Sequence, residues 1–184
     1  MSSDIIDLAI LCSEKAESFI EEDGRFEIVG TVLKNTHVIL EKSHNVKTVG
    51  VSQGRNYEND MAKSIYGESV NTIAMSTRTL PYAIENGDVD AIVIDYMKAL
   101  NLNWNMVFPS KKEDYDTFSL VVKKDFKKSK EYKEFKGSYN KAVEYLNENN
   151  NFFNEINRRA KIENIDGRRL QQWQNINMKI QTLE

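Results

Sequence analysis

The sequence predicts an α/β protein built on a mainly parallel sheet with flanking helices. Three observations carry that expectation. Runs rich in Val, Ile and Ala at residues 46–51, 70–75 and 91–94 are separated by amphipathic stretches with apolar residues three and four apart. Glycines close such stretches at Gly24, Gly67 and Gly87, where a helix commonly ends on a residue free to take positive φ. The run 91–94 is apolar throughout, as a strand covered on both faces is. Alternating strands and helices of this kind are satisfied by a parallel sheet with helices over its faces.

Taken in order, residues 7–12 read as a buried strand and Ser13 as the N-cap of a helix that turns Ala16, Phe19 and Ile20 inward. Residues 26–33 and 36–41 are two further extended runs, in which Val32, Val38 and Ile39 favour strand. Strand 46–51 enters the turn Ser52-Gln53-Gly54-Arg55-Asn56, where Asn56 is placed to cap a helix with Tyr57, Met61 and Ile65 on one face. Strand 70–75 enters a Ser76-Thr77 cap and a helix with Leu80, Ala83 and Ile84 inward and Pro81 in its first turn. Strand 91–94 leads to Asp95-Tyr96, and extended runs follow at 104–108 and 118–122. Beyond them Tyr132, Phe135, Tyr139, Ala142, Val143 and Leu146 recur at helical spacing. Trp173, Ile176, Ile180 and Leu183 predict a second helical stripe, and the asparagine-rich stretch 147–151 breaks the helix between the two.

Composition bounds the function. The 184 residues are 40% hydrophobic and 29% charged with a mean hydropathy of −0.56, a soluble globular balance. The apolar runs fall far short of the ~20 residues a spanning helix needs. A net charge of −3 gives no global basic field, which excludes nucleic acid as a partner. Residues 1–110 carry −7 and residues 111–184 carry +4; a solvated helical face accounts for the switch, with a partner surface as the alternative. Cys12 is the single cysteine and His37 and His44 the only histidines, so no disulfide, no metal and no cofactor is expected. Residues 8–12 are apolar and end in cysteine. The residues before them carry Asp4 and Asp7 and no basic group, however, and Leu11 stands where lipoprotein processing takes a small residue. With neither signal peptide nor lipobox, the chain as written reads as cytoplasmic, and Cys12 as a packed residue at a strand end.

No phosphate-binding loop, dinucleotide fingerprint or nucleophile elbow is present. What remains is a set of strand ends, at Cys12-Ser13, Ser52 to Gly54 and Met75 to Thr77, each running into a helix N-terminus. Backbone N–H groups and the helix dipole favour an anion or polar ligand there. Arg55 and Arg78 stand in two of these first turns, against the dipole, which leaves them either ligand contacts or solvated side chains. Asp95 and Tyr96 follow a buried strand and either face the same site or, for Asp95, cap the helix over 96–100.

The run VKTVGVSQGRNYENDMAKSIYG, followed by VNTIAMSTRTLPYAIENGDVDAIVIDYMKAL, resembles the second lobe of type 2 periplasmic solute-binding proteins, the substrate-binding components of ABC transporters, and in particular the thiamine-precursor, sulfonate and nitrate group. Gly54 matches the family's glycine-containing turn, and Asn86-Gly87-Asp88-Val89-Asp90-Ala91 its segment between helix and strand. DIIDLAILCSEKAESFI and FEIVGTVLKNTHVILEKS look like the end of the first lobe and the outgoing hinge strand, DTFSLVVKKDF like the returning hinge, and EYKEFKGSYNKAVEYL like the family's C-terminal helices. The family's further segment before the IIDLAIL-like strand is not in this chain. The resemblance therefore implies a complete second lobe at 46–122 and a truncated first lobe at 1–45 and 123–184 with the C-terminal helices.

It also implies a non-catalytic clamp or sensor that binds a small anionic or zwitterionic organic ligand in an interlobe cleft and closes about two hinge strands. The implied site takes Ser13 and Glu14 from lobe one, Asn35 and Thr36 from the hinge approach, and Gly54, Arg55, Asn56, Ser76, Thr77, Arg78, Asp95 and Tyr96 from lobe two. As part of a longer exported protein the chain would be extracytoplasmic and serve a transporter permease. An enzyme of the same fold, of the menaquinone- or thiamine-pathway kind, is the alternative. A third reading is a vestigial interaction protein that dimerises through an uncovered sheet edge; a homo-oligomer is expected, because a truncated lobe leaves apolar surface bare.

Overall fold

A computed structural model describes residues 5–111, 113–161 and 167–184. In chain order the elements are β1 (Leu8–Cys12), α1 (Ser13–Glu22), β2 (Phe26–Lys34), β3 (His37–Glu41), β4 (Thr48–Ser52), α2 (Asn56–Tyr66), β5 (Asn71–Met75), α3 (Leu80–Asn86), β6 (Ala91–Asp95), α4 (Tyr96–Ala99), β7 (Asn105–Val107), β8 (Asp116–Lys123), a 3₁₀ turn (Phe126–Lys128), α5 (Lys130–Asn147), α6 (Asn151–Arg159), α7 (Gly167–Ile176) and β9 (Lys179–Ile180). No helix among the described residues is long and apolar enough to cross a membrane.

The chain divides into two compact units. One comprises Met1–Asn35, Asp116–Ile165 and Met178–Glu184, and the other Thr36–Tyr115 and Asp166–Asn177. The expected boundaries at 45/46 and 122/123 thus move to 35/36 and 115/116. The reason is pairing: β3 bonds to β6 and β7 in the second unit, and β8 bonds to β1 and β2 in the first.

In the first unit the sheet order is β1-β8-β2-β9 and every pairing is antiparallel. Side chains of β8 alternate between two cores, as the strand period of two requires. Leu120 and Val122 join Val32, Leu183 and the α5 aromatics Tyr132, Phe135 and Tyr139, while Val121 joins Ala16, Phe19, Ile20 and Phe26 beneath α1. In the second unit the order is β5-β4-β6-β3-β7, with β4 parallel to β5 and β6, and β3 antiparallel to β6 and β7. Helix α2 lays Met61, Ala62 and Ile65 on Ile39, Val49, Val51, Ala91 and Val93.

The expectation of a mainly parallel sheet is corrected: only β4–β5 and β4–β6 are parallel among the described pairings. The β1-α1-β2 crossover does make parallel strands, but β8 inserts between them and turns both ladders antiparallel. Strand β3 enters the second unit's sheet from the first unit, lies between β6 and β7 and runs opposite to both.

Several local expectations also change. Cys12 is the N-cap of α1 and Ser13 its first helical residue; the helix closes on Asp23 at φ −128°, and Gly24 takes no positive φ. Arg55, not Asn56, occupies the N-cap of α2. The Ser76-Thr77 cap is absent: residues 76–79 form a turn closed by Thr79 N–H donating to Ser76 O (2.9 Å), and α3 begins at Leu80. The second aromatic stripe is helical only to Ile176. Ile180 lies in β9 beside β2, and Leu183 is buried in the first unit's core.

Candidate functional site

The carboxyl ends of β4, β5 and β6 lie along one edge of the second unit's sheet, and the antiparallel β3 brings its first residue to the same edge, with His37 opposite Asp95. The loop after β4 leads to β5 on one side, and the loop after β6 leads to β7 on the other. Divergence of two adjacent loops at strand ends opens the crevice in which open α/β sheets take ligands.

Five side chains of this edge, Thr36, His37, Arg55, Tyr57 and Glu58, form one largely buried polar group. Arg55 Nη1 lies 2.6 Å from His37 Nε2 and 3.1 Å from Glu58 Oε1. Glu58 Oε2 accepts the Ser52 backbone N–H at 2.6 Å. His37 Nδ1 lies 3.0 Å from Thr36 Oγ1 and 3.2 Å from the Tyr57 hydroxyl. A guanidinium only donates, so Nε2 accepts from Arg55, and the ring proton sits on Nδ1, where it is donated to one of the two hydroxyls.

Burial, followed by the positive charges of Arg55 and Lys98, pushes His37 down to about 3, so the imidazole is neutral at neutral pH. Glu58 is pushed up by burial, opposed by the Ser52 N–H and Arg55. Asp95 is also raised by burial, against the Met97 N–H, which its Oδ1 accepts at 2.9 Å as the cap of α4.

The expected site residues separate by unit. Ser13, Glu14 and Asn35 belong to the first. Ser13 is buried with its hydroxyl 2.9 Å from that of Ser119, and Asn35 is buried at φ 58°. Thr36, Arg55 and Asp95 come together in the second unit around His37, while Gly54, at φ 76°, and Asn56 are exposed and flank Arg55 in the chain. The turn at Ser76, Thr77 and Arg78 adjoins them, since Gln53 N–H donates to Met75 O at 2.9 Å.

Arg55 is not the exposed first-turn side chain its position suggests. It is only 17% exposed and is held as an ion pair with Glu58. Arg78 is exposed but precedes α3 rather than standing in its first turn. Tyr96 faces inward, with its ring 6.2 Å from that of Trp173. The Ser52 hydroxyl is buried without a hydrogen-bond partner among the described residues.

No family model matches this chain, and no curated protein matches its sequence. Solved structures do match. The alkanesulfonate-binding protein SsuA from Xanthomonas axonopodis pv. citri, bound to MOPS, superposes with a TM-score of 0.65 at 15% identity over 97% of this chain and 70% of its own. This chain shares the fold of that protein. The periplasmic aliphatic sulphonate binding protein SsuA from Escherichia coli gives a TM-score of 0.63 at 14% identity, over 96% of this chain and 69% of its own. The zinc-bound ligand-binding component of an ABC-type import system from Staphylococcus aureus gives 0.63 at 11%, over 97% and 68%. Among the described residues, no three His, Cys, Asp or Glu side chains are grouped to hold a metal ion.

Sequence reasoning missed His37, Tyr57 and Glu58. A signal for Glu58 was present, because Arg55 and Glu58 stand three apart, the spacing of an i,i+3 pair. His37 carried none: it reaches the edge only because β3 runs antiparallel to β6, and strand direction leaves no trace in periodicity.

Proposed function

We propose that this chain is a solute-binding protein or sensor for a small anionic or zwitterionic organic molecule, taken at the carboxyl edge of the second unit's sheet and left chemically unchanged. The fold supports the reading, since the two SsuA structures that match nearly all of this chain are described as alkanesulfonate- and aliphatic sulphonate-binding proteins.

The edge has the donors such a ligand needs. The Ser52 hydroxyl, the Gly54 turn, Asn56, Ser76 and Thr77 supply neutral hydrogen bonds, and the N-terminal end of α2 supplies a positive dipole. Arg55 is a fixed charge in the wall, while the exposed Arg78 is a mobile one. Binding is favoured over acid–base catalysis by the state of His37, which is 1% exposed and has both ring nitrogens within hydrogen-bond distance of partners.

Thermal melting of the full chain against alkanesulfonates, inorganic phosphate, short carboxylates and free amino acids tests this. A solute held at about 100-fold its Kd adds about 2.7 kcal/mol to stability. At least one anion or zwitterion is expected to raise Tm, and Arg78→Ala is expected to shrink that rise while leaving the unliganded Tm in place. A panel without any shift refutes the reading.

A further inference from the structure

We propose that a groove beside α3 in the second unit binds a small quaternary ammonium cation. The groove has a volume of about 380 Å³ and is lined by Pro81, Tyr82 and Glu85 of α3 and by Leu102, Asn103 and Trp104 of the segment between α4 and β7. Small-molecule sites have volumes of this order and set a few polar groups among apolar and aromatic ones. Both walls come from Thr36–Tyr115, the stretch that builds the second unit without interruption. None of the lining residues belongs to the cluster around His37. Trp104 precedes Asn105, which pairs with Glu41 at the end of β3 remote from His37.

The helical period puts two of these side chains where a ligand can meet them. Leu80, Ala83 and Ile84 are buried against the sheet, so Tyr82 and Glu85, three apart, share the opposite, exposed side of α3. Tyr82 is 66% exposed, although it is a large aromatic side chain. Glu85 carries the one formal charge in the lining, and its carboxylate makes no hydrogen bond or ion pair with a described residue.

The ring of Trp104 already attracts a cation. Lys42 Nζ lies 5.6 Å from its centroid, within the ~6 Å over which an aromatic face draws positive charge. Lys42 is exposed, does not line the groove, and has one other contact for that ammonium, the Glu85 backbone oxygen at 3.4 Å. It is a weak resident that a better-matched cation displaces or adjoins. The lining selects the kind of cation. A primary ammonium or a metal ion needs several oxygen acceptors, whereas two aromatic rings, Pro81 and Leu102 suit a cation clothed in methyl groups with no N–H to satisfy. A neutral apolar guest would desolvate the Glu85 carboxylate and give it no partner.

The test is an NMR titration of the full chain with choline at constant ionic strength, following the indole N–H signals of its two tryptophans, assigned through Trp104→Phe. The Trp104 signal is expected to shift saturably while that of Trp173 stays in place. The neutral isostere 3,3-dimethylbutan-1-ol is expected to shift neither. Glu85→Gln is expected to weaken choline about threefold and Lys42→Met to tighten it, both with wild-type far-UV circular dichroism because both side chains are exposed. The proposal is overturned by a Trp104 signal that does not saturate, by an equal response to the neutral isostere, or by unchanged choline affinity in Glu85→Gln. Each of these outcomes leaves solute binding at the strand edge as it stood, because that reading uses none of the lining residues.

Discussion

At the scale of single residues, the second unit's strand edge rests on a charge balance inside the protein. Glu58 is fully buried and is neutralised by Arg55, while the Ser52 N–H fixes its other oxygen. Removing one member of a buried ion pair strands the other, which costs far more than an exposed arginine would. Arg55→Ala is therefore expected to lower unfolding free energy by roughly 3 kcal/mol in urea titrations, against a few tenths for Arg78→Ala.

His37 supplies a separate handle. Its pKa is depressed from 6.5 to about 3, so the unfolded chain binds the proton first as pH falls. Its contribution is whole above pH 6.5 and is lost as pH drops towards 3, by up to about 1.4 kcal/mol per pH unit. Burial of Glu58 acts in the opposite sense, favouring the folded state below the carboxylate's ordinary range and losing that support as pH rises. Stability measured between pH 6.5 and 4 is expected to fall less steeply for His37→Gln than for the wild type; equal slopes would show that the ring does not titrate as its burial requires.

At the scale of elements, β4 is the strand that both parallel pairings share, and Gly50 at its centre allows the helix above it to come close. A Cβ built there would lie 3.1 Å from Leu80 Cδ2 and 3.2 Å from Ile92 Cγ2. Gly50→Val is expected to cost about 1–3 kcal/mol by overpacking, read as a lower urea midpoint at unchanged m.

The β4-α2-β5-α3-β6 path was legible because buried β-branched runs and the stops at Gly67 and Gly87 are local signals, and both glycines do take positive φ. The break at 147–151 was legible for the same reason, since Asn149 and Asn150 both adopt positive φ between α5 and α6. What stayed hidden was non-local. Ile180 and Leu183 continue a helical spacing on paper, yet pairing with β2 and the first unit's core claims them. The edge cluster was half legible: its loop residues stand next to strand ends, whereas His37 is brought there by a pairing 58 positions away, to Asp95.

At the scale of the whole molecule, the chain leaves the first unit after Asn35 and returns to it at Asp116. Strands β1 and β2 both depend on β8, and β9 and Leu183 close the same core from the last few residues. On a ribosome, β1 and β2 therefore emerge before β8, the strand that both pair with, while the strands of the second unit follow in one uninterrupted stretch. At ordinary rates of synthesis the interval before β8 is complete is roughly 4 to 18 s. For that time β1 and β2 lack the partner strand they share in the finished sheet, so the ladder of the first unit closes after that of the second.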